Sequence, residues 1–414
     1  MSAPPNGSEL ARAFERRYGA TPRLFSAPGR VNVIGEHTDY NDGWVLPIAI
    51  RARTWAAAAP RTDSVVRAYS RQVDQEYQFS LRDPPPACRG KWFDYVEGMA
   101  RVLAARGAPS AGADLLIDSD VPVGAGLSSS AALELAVGQA LLELCDQHWT
   151  PYELAAAGQS AEHEFAGVAC GPMDQLVCAL ALEGQALLID CRTKQCSPVG
   201  LPATGAKFVV CDTRVRHTLA ASGYNWRREE CREAVRHLRA MGFEIESLRD
   251  LKADDLERAL KLLPAPLDRR VRHVVTENAR TRAGMDAMKR SHWQGLGRLM
   301  TGSHLSLRDD FEVSCAELDH AVKTALEIKG VLGARMTGGG FGGSAILLVK
   351  DSVVDAACDG VRSKFAEKFG SEPDLYVTEA SAGMRSESPS SSAEVTIQNG
   401  FGGGAEAGDH EASA

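Results

Sequence analysis

The chain has 414 residues and a formal charge of −8, from 46 Lys and Arg against 54 Asp and Glu. That length predicts two or three domains with a sizeable core, and the acidic balance argues against a nucleic-acid partner. No window approaches the roughly 20 apolar residues of a membrane span; the richest, 131–145, is interrupted by Glu134, Gln139 and Glu143. The opening residues carry no basic stretch leading into an apolar run, so no secretory leader is expected. Ten Cys without CxxC spacing predict reduced thiols, mostly in the core of a cytoplasmic protein.

In chain order, residues 8–18 read as an amphipathic helix capped by Ser8. Residues 24–47 mix short apolar runs with a dense polar loop. Strands are predicted over 44–59, 65–69 and 76–81, and Pro84-Pro85-Pro86 closes that region. A helix over 92–106, a strand over 113–117, a Gly-rich turn, a long apolar helix and a helix over 151–167 follow. Residues 184–191 and 207–212 read as buried strands. The chain then turns helical over 224–241, 248–262, 271–290 and 293–309. Two strands, 331–336 and 344–350, flank a glycine loop; a helix over 353–369 and a strand over 374–379 come last. From about residue 382 the composition is Ser, Gly, Ala and Glu, the mark of a disordered tail. The expected organisation is an N-terminal mixed α/β domain over 1–195, a C-terminal domain over 196–381 and a tail over 382–414. The two domains would meet around a cleft.

Three segments carry chemistry. In Pro28–Gly43, an apolar run delivers Arg30 and then Glu36, His37 and Asp39 within four residues. Carboxylates accept from hydroxyls and a neutral imidazole both donates and accepts, which suits a polyhydroxylated ligand such as a sugar. An Asp- and Asn-capped turn with solvated charges accounts for the same residues equally well. In Val121–Ala132, two glycines and three serines precede an apolar helix. Free amides at a helix start, reinforced by its dipole, make a phosphate cradle, although an ordinary capped helix explains this segment alone. The Gly-Lys-Ser/Thr ending of a Walker A loop is missing. In Met336–Ser344, five glycines between two strands carry an ordering cost that points to close backbone approach. His163-Glu164 lacks the second histidine of a zinc-protease helix. Arg227, Arg228, Arg232, Arg236 and Arg239, interleaved with glutamates, read as a solvated helix face.

Together the three segments resemble the signatures of the GHMP kinase superfamily, and GRVNVIGEHTDYNDGWVLP resembles that of the galactokinase family. Ala161–Gly167 with Cys170–Gln175, and Val215–His217 through Tyr224, extend the likeness, which runs to about residue 380. It implies an α+β, two-lobed GHMP kinase fold. The N-terminal lobe would be a ribosomal-protein-S5-like mixed α/β domain and the C-terminal lobe a ferredoxin-like α+β domain, with the active site in the cleft. It implies phosphorylation by ATP of the C1 hydroxyl of α-D-galactose, with Asp174 as base and Arg30 as charge stabiliser. Glu36, His37, Thr38, Asp39, Gly171 and Tyr224 would bind the sugar. Gly124, Ala125, Gly126, Leu127, Ser128, Ser129 and Ser130 would hold the nucleotide phosphates under Gly338, Gly339 and Gly340. Ser130 and Glu162 would ligate Mg²⁺. Galactose and ATP would be the only partners, of a monomer or weak dimer. Two other readings stay open: an N-acetylgalactosamine or other anomeric sugar kinase, and a galactose-binding sensor. The intact Ser128–Ala131 run weighs against the sensor.

Overall fold

A computed structural model describes residues 6–85, 87–109, 111–216 and 220–387. Helix α1 (Gly7–Tyr18) buries Leu10 and Phe14, one turn apart, and ends on Gly19 at φ 70°. Its cap is Asn6, whose side chain accepts from the Ser8 amide; Ser8 itself lies inside the first turn. There follow β1 (Arg23–Asn32), β2 (Trp44–Val45), β3 (Pro47–Pro60), β4 (Val65–Ser70), β5 (Gln75–Ser80), α2 (Trp92–Ala105) and β6 (Ala113–Ser119). Next come α3 (Ser129–Leu144), α4 (Pro151–Ala161), α5 (Met173–Leu180), β7 (Gln185–Asp190), β8 (Gln195–Gly200) and β9 (Lys207–Arg216). The second half holds α6 (Ala220–Ala240), α7 (Leu256–Leu260), α8 (Leu267–Lys289), α9 (Trp293–Asp309) and α10 (Ala316–Glu327). It ends with β10 (Val331–Thr337), β11 (Gly342–Val349), α11 (Val354–Phe369), β12 (Asp374–Thr378) and β13 (Arg385–Glu387).

The first sheet has the order β13-β1-β3-β6-β4-β5, antiparallel except where β4 runs parallel to β6. A small sheet, β2-β7-β8, lies beside it, and a four-stranded sheet, β10-β11-β9-β12, forms the other lobe. A strand, intervening helices, a hairpin, a helix and a last strand in that order make the ferredoxin-like arrangement. Each lobe has its own apolar core, around Met99, Leu135 and Leu176 in one and Val209, Leu347 and Phe365 in the other. A third cluster joins Val31, Ile48 and Val121 to Phe208, Met300 and Ile346, so the lobes share a buried seam.

Several expectations change. Strand β1 runs through Pro28-Gly29, which its sequence disguises as loop, because the register shifts between Pro28 and Arg30 and a bulge absorbs both residues. Residues 248–262 are two 3-10 turns and the short α7, not one helix. Helices α5 and α10 and strand β8 were not anticipated; each is short or lacks clean periodicity. Arg227 and Arg228 are not solvated: Arg227 donates to the Phe311 and Glu312 carbonyls and Arg228 to the Ala169 carbonyl. All ten cysteines are free, but only Cys178, Cys191, Cys211 and Cys231 are buried. Among the described residues no helix is long and apolar enough to cross a membrane.

The expected tail starts too early. Residues 381–387 return to the first sheet, where β13 pairs with β1. The buried Arg53 holds this strap, donating to the Ala382 carbonyl (2.9 Å), the Gly383 carbonyl (2.7 Å) and Ser26 Oγ (2.8 Å). Burial pushes its guanidinium down to about 10. Residues 388–414 lie outside the described residues. A chain ended after Ala380 takes the Ser381, Ala382 and Gly383 acceptors from that charge and leaves it only its bonds to Ser26. It should lose roughly 3 kcal/mol relative to one ended after Glu387, measured by denaturant unfolding.

Candidate active site

The bulge in β1 aims Arg30 into the cleft, and Asp174 meets it from the first turn of α5. Arg30 is 4% exposed. Its Nε donates to Asp174 Oδ1 (2.8 Å), its Nη2 to both carboxylate oxygens (2.6 Å each) and its Nη1 to the Gly126 carbonyl (2.6 Å). Ser128 Oγ donates to Asp174 Oδ2 (2.6 Å). Burial works against the Arg30 charge, but Asp174 and then Glu36 outweigh it and raise its pKa.

The loop after β1 brings three polar side chains to the same cavity. His37 sits at φ 60°, its Nδ1 2.7 Å from Tyr40 Oη. Burial, then His273 and Arg227, push its pKa down to about 3, so the ring is neutral. Its Nε2 is buried beside the Gly339 backbone without a well-formed hydrogen bond, a polar atom left for a ligand. The ring also packs on Tyr224 of α6, with centroids 5.5 Å apart. Asp39 lies against Gly171, where a Cβ would come within 2.1 Å of Oδ2, so only glycine lets the carboxylate reach the cavity there. Burial, then the Asp174 charge, push Asp39 up to about 7. Glu36 is bound within the protein: Asn32 Nδ2 donates to Oε2 (2.6 Å), and Thr337 Oγ1 and the Gly338 amide donate to Oε1.

The Gly-rich turn before α3 and the glycine loop after β10 pack backbone against backbone. Gly338 has φ 83°, and a Cβ there would sit 2.7 Å from the Gly126 carbonyl oxygen. Ser344 Oγ donates to the Ala125 carbonyl (2.8 Å). Ser128, at the N-cap position of α3, adopts φ 60° and gives its hydroxyl to Asp174 rather than to the amides of the first turn. Those amides face a cavity of about 660 Å³, a size suited to a small-molecule ligand. Glu162 heads a single π-helical turn, 162–166, that continues α4. Ser130 Oγ donates to its Oε1 (3.1 Å), and Gln175 Nε2 to its Oε2 (2.7 Å). Burial, then Asp174, push Glu162 up to about 7.

Comparison with known proteins then becomes decisive. Residues 94–181 match the GHMP kinases N-terminal domain, 285–367 the GHMP kinases C-terminal domain, and 12–60 the galactokinase galactose-binding signature. The mevalonate kinase of Methanococcus jannaschii shares the fold alone, at 17% identity and TM-score 0.61 over 86% of this chain and 98% of that one. The galactokinase of Lactococcus lactis, crystallised with galactose, matches at TM-score 0.87 and 35% identity over 91% of this chain and 99% of that one. The galactokinase of Chloroflexus aurantiacus is 49% identical over 378 residues, 91% of this chain and 97% of that protein. That of Homo sapiens is 41% identical over 386 residues, 91% and 96%. This chain belongs to the galactokinase family.

In this galactokinase the cavity collects Arg30, Glu36, His37, Asp39, Glu162, Asp174 and Tyr224 with Gly124, Gly126, Leu127, Ser128, Ser129, Ser130, Gly338 and Gly339. Four residues expected at the ligands stand behind its wall. Thr38 Oγ1 bonds the Gly35 and Trp44 carbonyls (2.8 Å each) and closes the loop on itself. Ala125 is fully buried and turns its carbonyl to Ser344. Gly171 makes room for Asp39, and Gly340 packs on the Val313 carbonyl. His217 lies outside the described residues. Sequence reasoning missed Trp92, Tyr95, Ile117 and Leu133, which also line the cavity. The one signal was an aromatic pair three residues apart at the start of an amphipathic helix.

Asp39 carries a testable cost. Its folded pKa, about 7, lies above the usual aspartate value of 3.8, so the fold keeps a proton the unfolded chain has lost. Stability therefore falls as pH rises between those values and levels off above about 7. Asp39→Asn should melt close to the parent near pH 4, with an advantage that grows to about pH 7 and then stays constant, by scanning calorimetry.

Proposed function

We propose that this galactokinase transfers the γ-phosphoryl group of ATP to the C1 hydroxyl of α-D-galactose. The observation that carries the reading is the Arg30–Asp174 pair, which is bonded to the phosphate loop at Gly126 and Ser128 and shares its cavity with Asp39 and His37. Phosphoryl transfer asks for in-line positioning and stabilisation of spread charge, with little covalent work for the protein. Asp39 and the bare Nε2 of His37 offer an acceptor and a hydrogen-bonding nitrogen to sugar hydroxyls. The uncapped amides of α3 face the phosphates, and Arg30 adds fixed positive charge.

Asp174 receives four hydrogen bonds, two on each oxygen, so its lone pairs are already used. An incoming hydroxyl must displace one donor, and the Ser128 hydroxyl is the one without a formal charge. With its oxygens engaged in this way, Asp174 takes the hydroxyl proton late, after the phosphoryl bond has loosened.

Ser130 and Glu162 fit Mg²⁺. They present a hydroxyl and a carboxylate 3.1 Å apart, both hard oxygen donors, in a setting where burial and Asp174 disfavour the Glu162 charge and a cation would restore it. The bound ion would supply charge neutralisation to the phosphates.

Purified protein with Mg-ATP should release ADP on galactose in a coupled assay across a hexose panel that includes C2-substituted sugars; no release on galactose overturns the reading. Asp174→Asn should lower kcat by about 10²–10⁴-fold while the protein still binds both substrates. Gly171→Ala drives a methyl into the Asp39 carboxylate. It should raise the galactose KM by about tenfold or more and leave the ATP KM within about twofold, by initial-rate kinetics.

A further inference from the structure

Helix α8 buries Leu267, Val271, Val274 and Met288, yet one strip of its inward surface is polar. His273, Glu277 and Thr281 follow at intervals of one turn, with Asn278 beside them, and all four are buried. None lines the cavity. Three of them, His273, Glu277 and Asn278, bond backbone groups of the loop that carries His37 and Asp39. Glu277 Oε1 accepts from the Gly35 amide (2.9 Å). His273 Nε2 donates to the Glu36 carbonyl (3.1 Å). Asn278 Oδ1 accepts from the Trp44 amide (3.0 Å). Gly43 packs so tightly on the same oxygen that a Cβ there would come within 2.3 Å of it. Ser303 Oγ and Arg280 Nε, each at 2.6 Å, fix the Glu277 carboxylate in turn.

Packing alone does not call for this face. Apolar side chains of similar volume would seal the same interface without desolvating four polar groups. Asn278 even leaves its Nδ2 buried without a partner, which costs stability. The loop explains the polar face. It holds two non-glycine residues, His37 and Asp42, at φ 60° and 58°, a backbone path that L side chains disfavour. Bonds at both ends of the loop, and at the carbonyl immediately before His37, hold that path.

We propose that this face of α8 is a template for the sugar loop, and that His273 and Asn278 are positioning residues for galactose affinity. The proposal rests on the galactokinase reading for its ligand. The template contacts only the sugar side, so its loss should weaken sugar binding and spare the nucleotide.

Two variants test it. Asn278→Ala removes the acceptor for the Trp44 amide, and Asn278→Asp, of the same shape, restores one. His273→Phe keeps a ring against Phe311 (centroids 4.5 Å apart) and removes the donor to the Glu36 carbonyl. Asn278→Ala and His273→Phe should each raise the galactose KM about tenfold, the loss of one buried hydrogen bond, with the ATP KM within about twofold. Asn278→Asp should recover most of that loss. Hydrogen exchange reads the template without any substrate: amides 35–44 should exchange faster in Asn278→Ala and His273→Phe, and amides 124–130 should not. The proposal is overturned if both KM values stay put while kcat falls with the folded fraction, if the ATP KM rises equally, or if exchange of the loop is unchanged. Failure of the parent chain to phosphorylate galactose would instead overturn the function, and the exchange result would still judge the template.

Discussion

The buried ion pair between Arg30 and Asp174 is the interaction on which the site depends. Burying a guanidinium and a carboxylate is expensive, and an apolar pair would often serve stability as well. What the charges supply is position. One nitrogen of Arg30 holds the Gly126 carbonyl, and one oxygen of Asp174 holds the Ser128 hydroxyl. The Gly-rich turn before α3 is thereby registered against the strand that leads into the loop bearing His37 and Asp39. Glu36 extends the same logic, since its carboxylate joins the sugar loop to the Gly338 amide and so to the third segment.

The cavity is rich in acid. Asp39, Glu162 and Asp174 line it, and Glu134, fully buried behind Gln175, has its pKa raised by burial and by Glu162. Only Arg30 is bonded directly to Asp174 as a counter-charge. Asp39 and Glu162 are therefore poised near neutrality, and a cation or a hydroxyl donor is what each lacks. A site assembled this way favours hydrogen-bond donors and cations over bare anions, except at the amide-lined mouth of α3.

Much of this was legible in the residues. The glycines of 338–343 pointed to close backbone approach, and Gly338 meets the Gly126 carbonyl. The segment around Arg30 named four polar side chains of the cavity, Arg30, Glu36, His37 and Asp39. The strand beneath them was hidden, because Pro28-Gly29 reads as a turn until a bulge is allowed for. Thr38 and Ala125 stand behind the cavity wall for a different reason. A motif records which residues travel together, and it does not separate those that face the ligand from those that hold the loop. The polar face of α8 was invisible because its partners are backbone groups, which leave no complementary pattern in the sequence. Trp92 and Tyr95 joined the cavity only through tertiary packing.

The strap fixed by Arg53 also has a consequence in time. Strand β1 lies at the edge of the first sheet until β13 pairs with it, and β13 sits more than 350 residues downstream. During synthesis the strand bearing Arg30 therefore keeps a free edge, open to mispairing, until nearly the whole described chain has left the ribosome. The last described strand seals the strand that carries Arg30, so a nascent chain cannot close its first sheet before its second lobe exists.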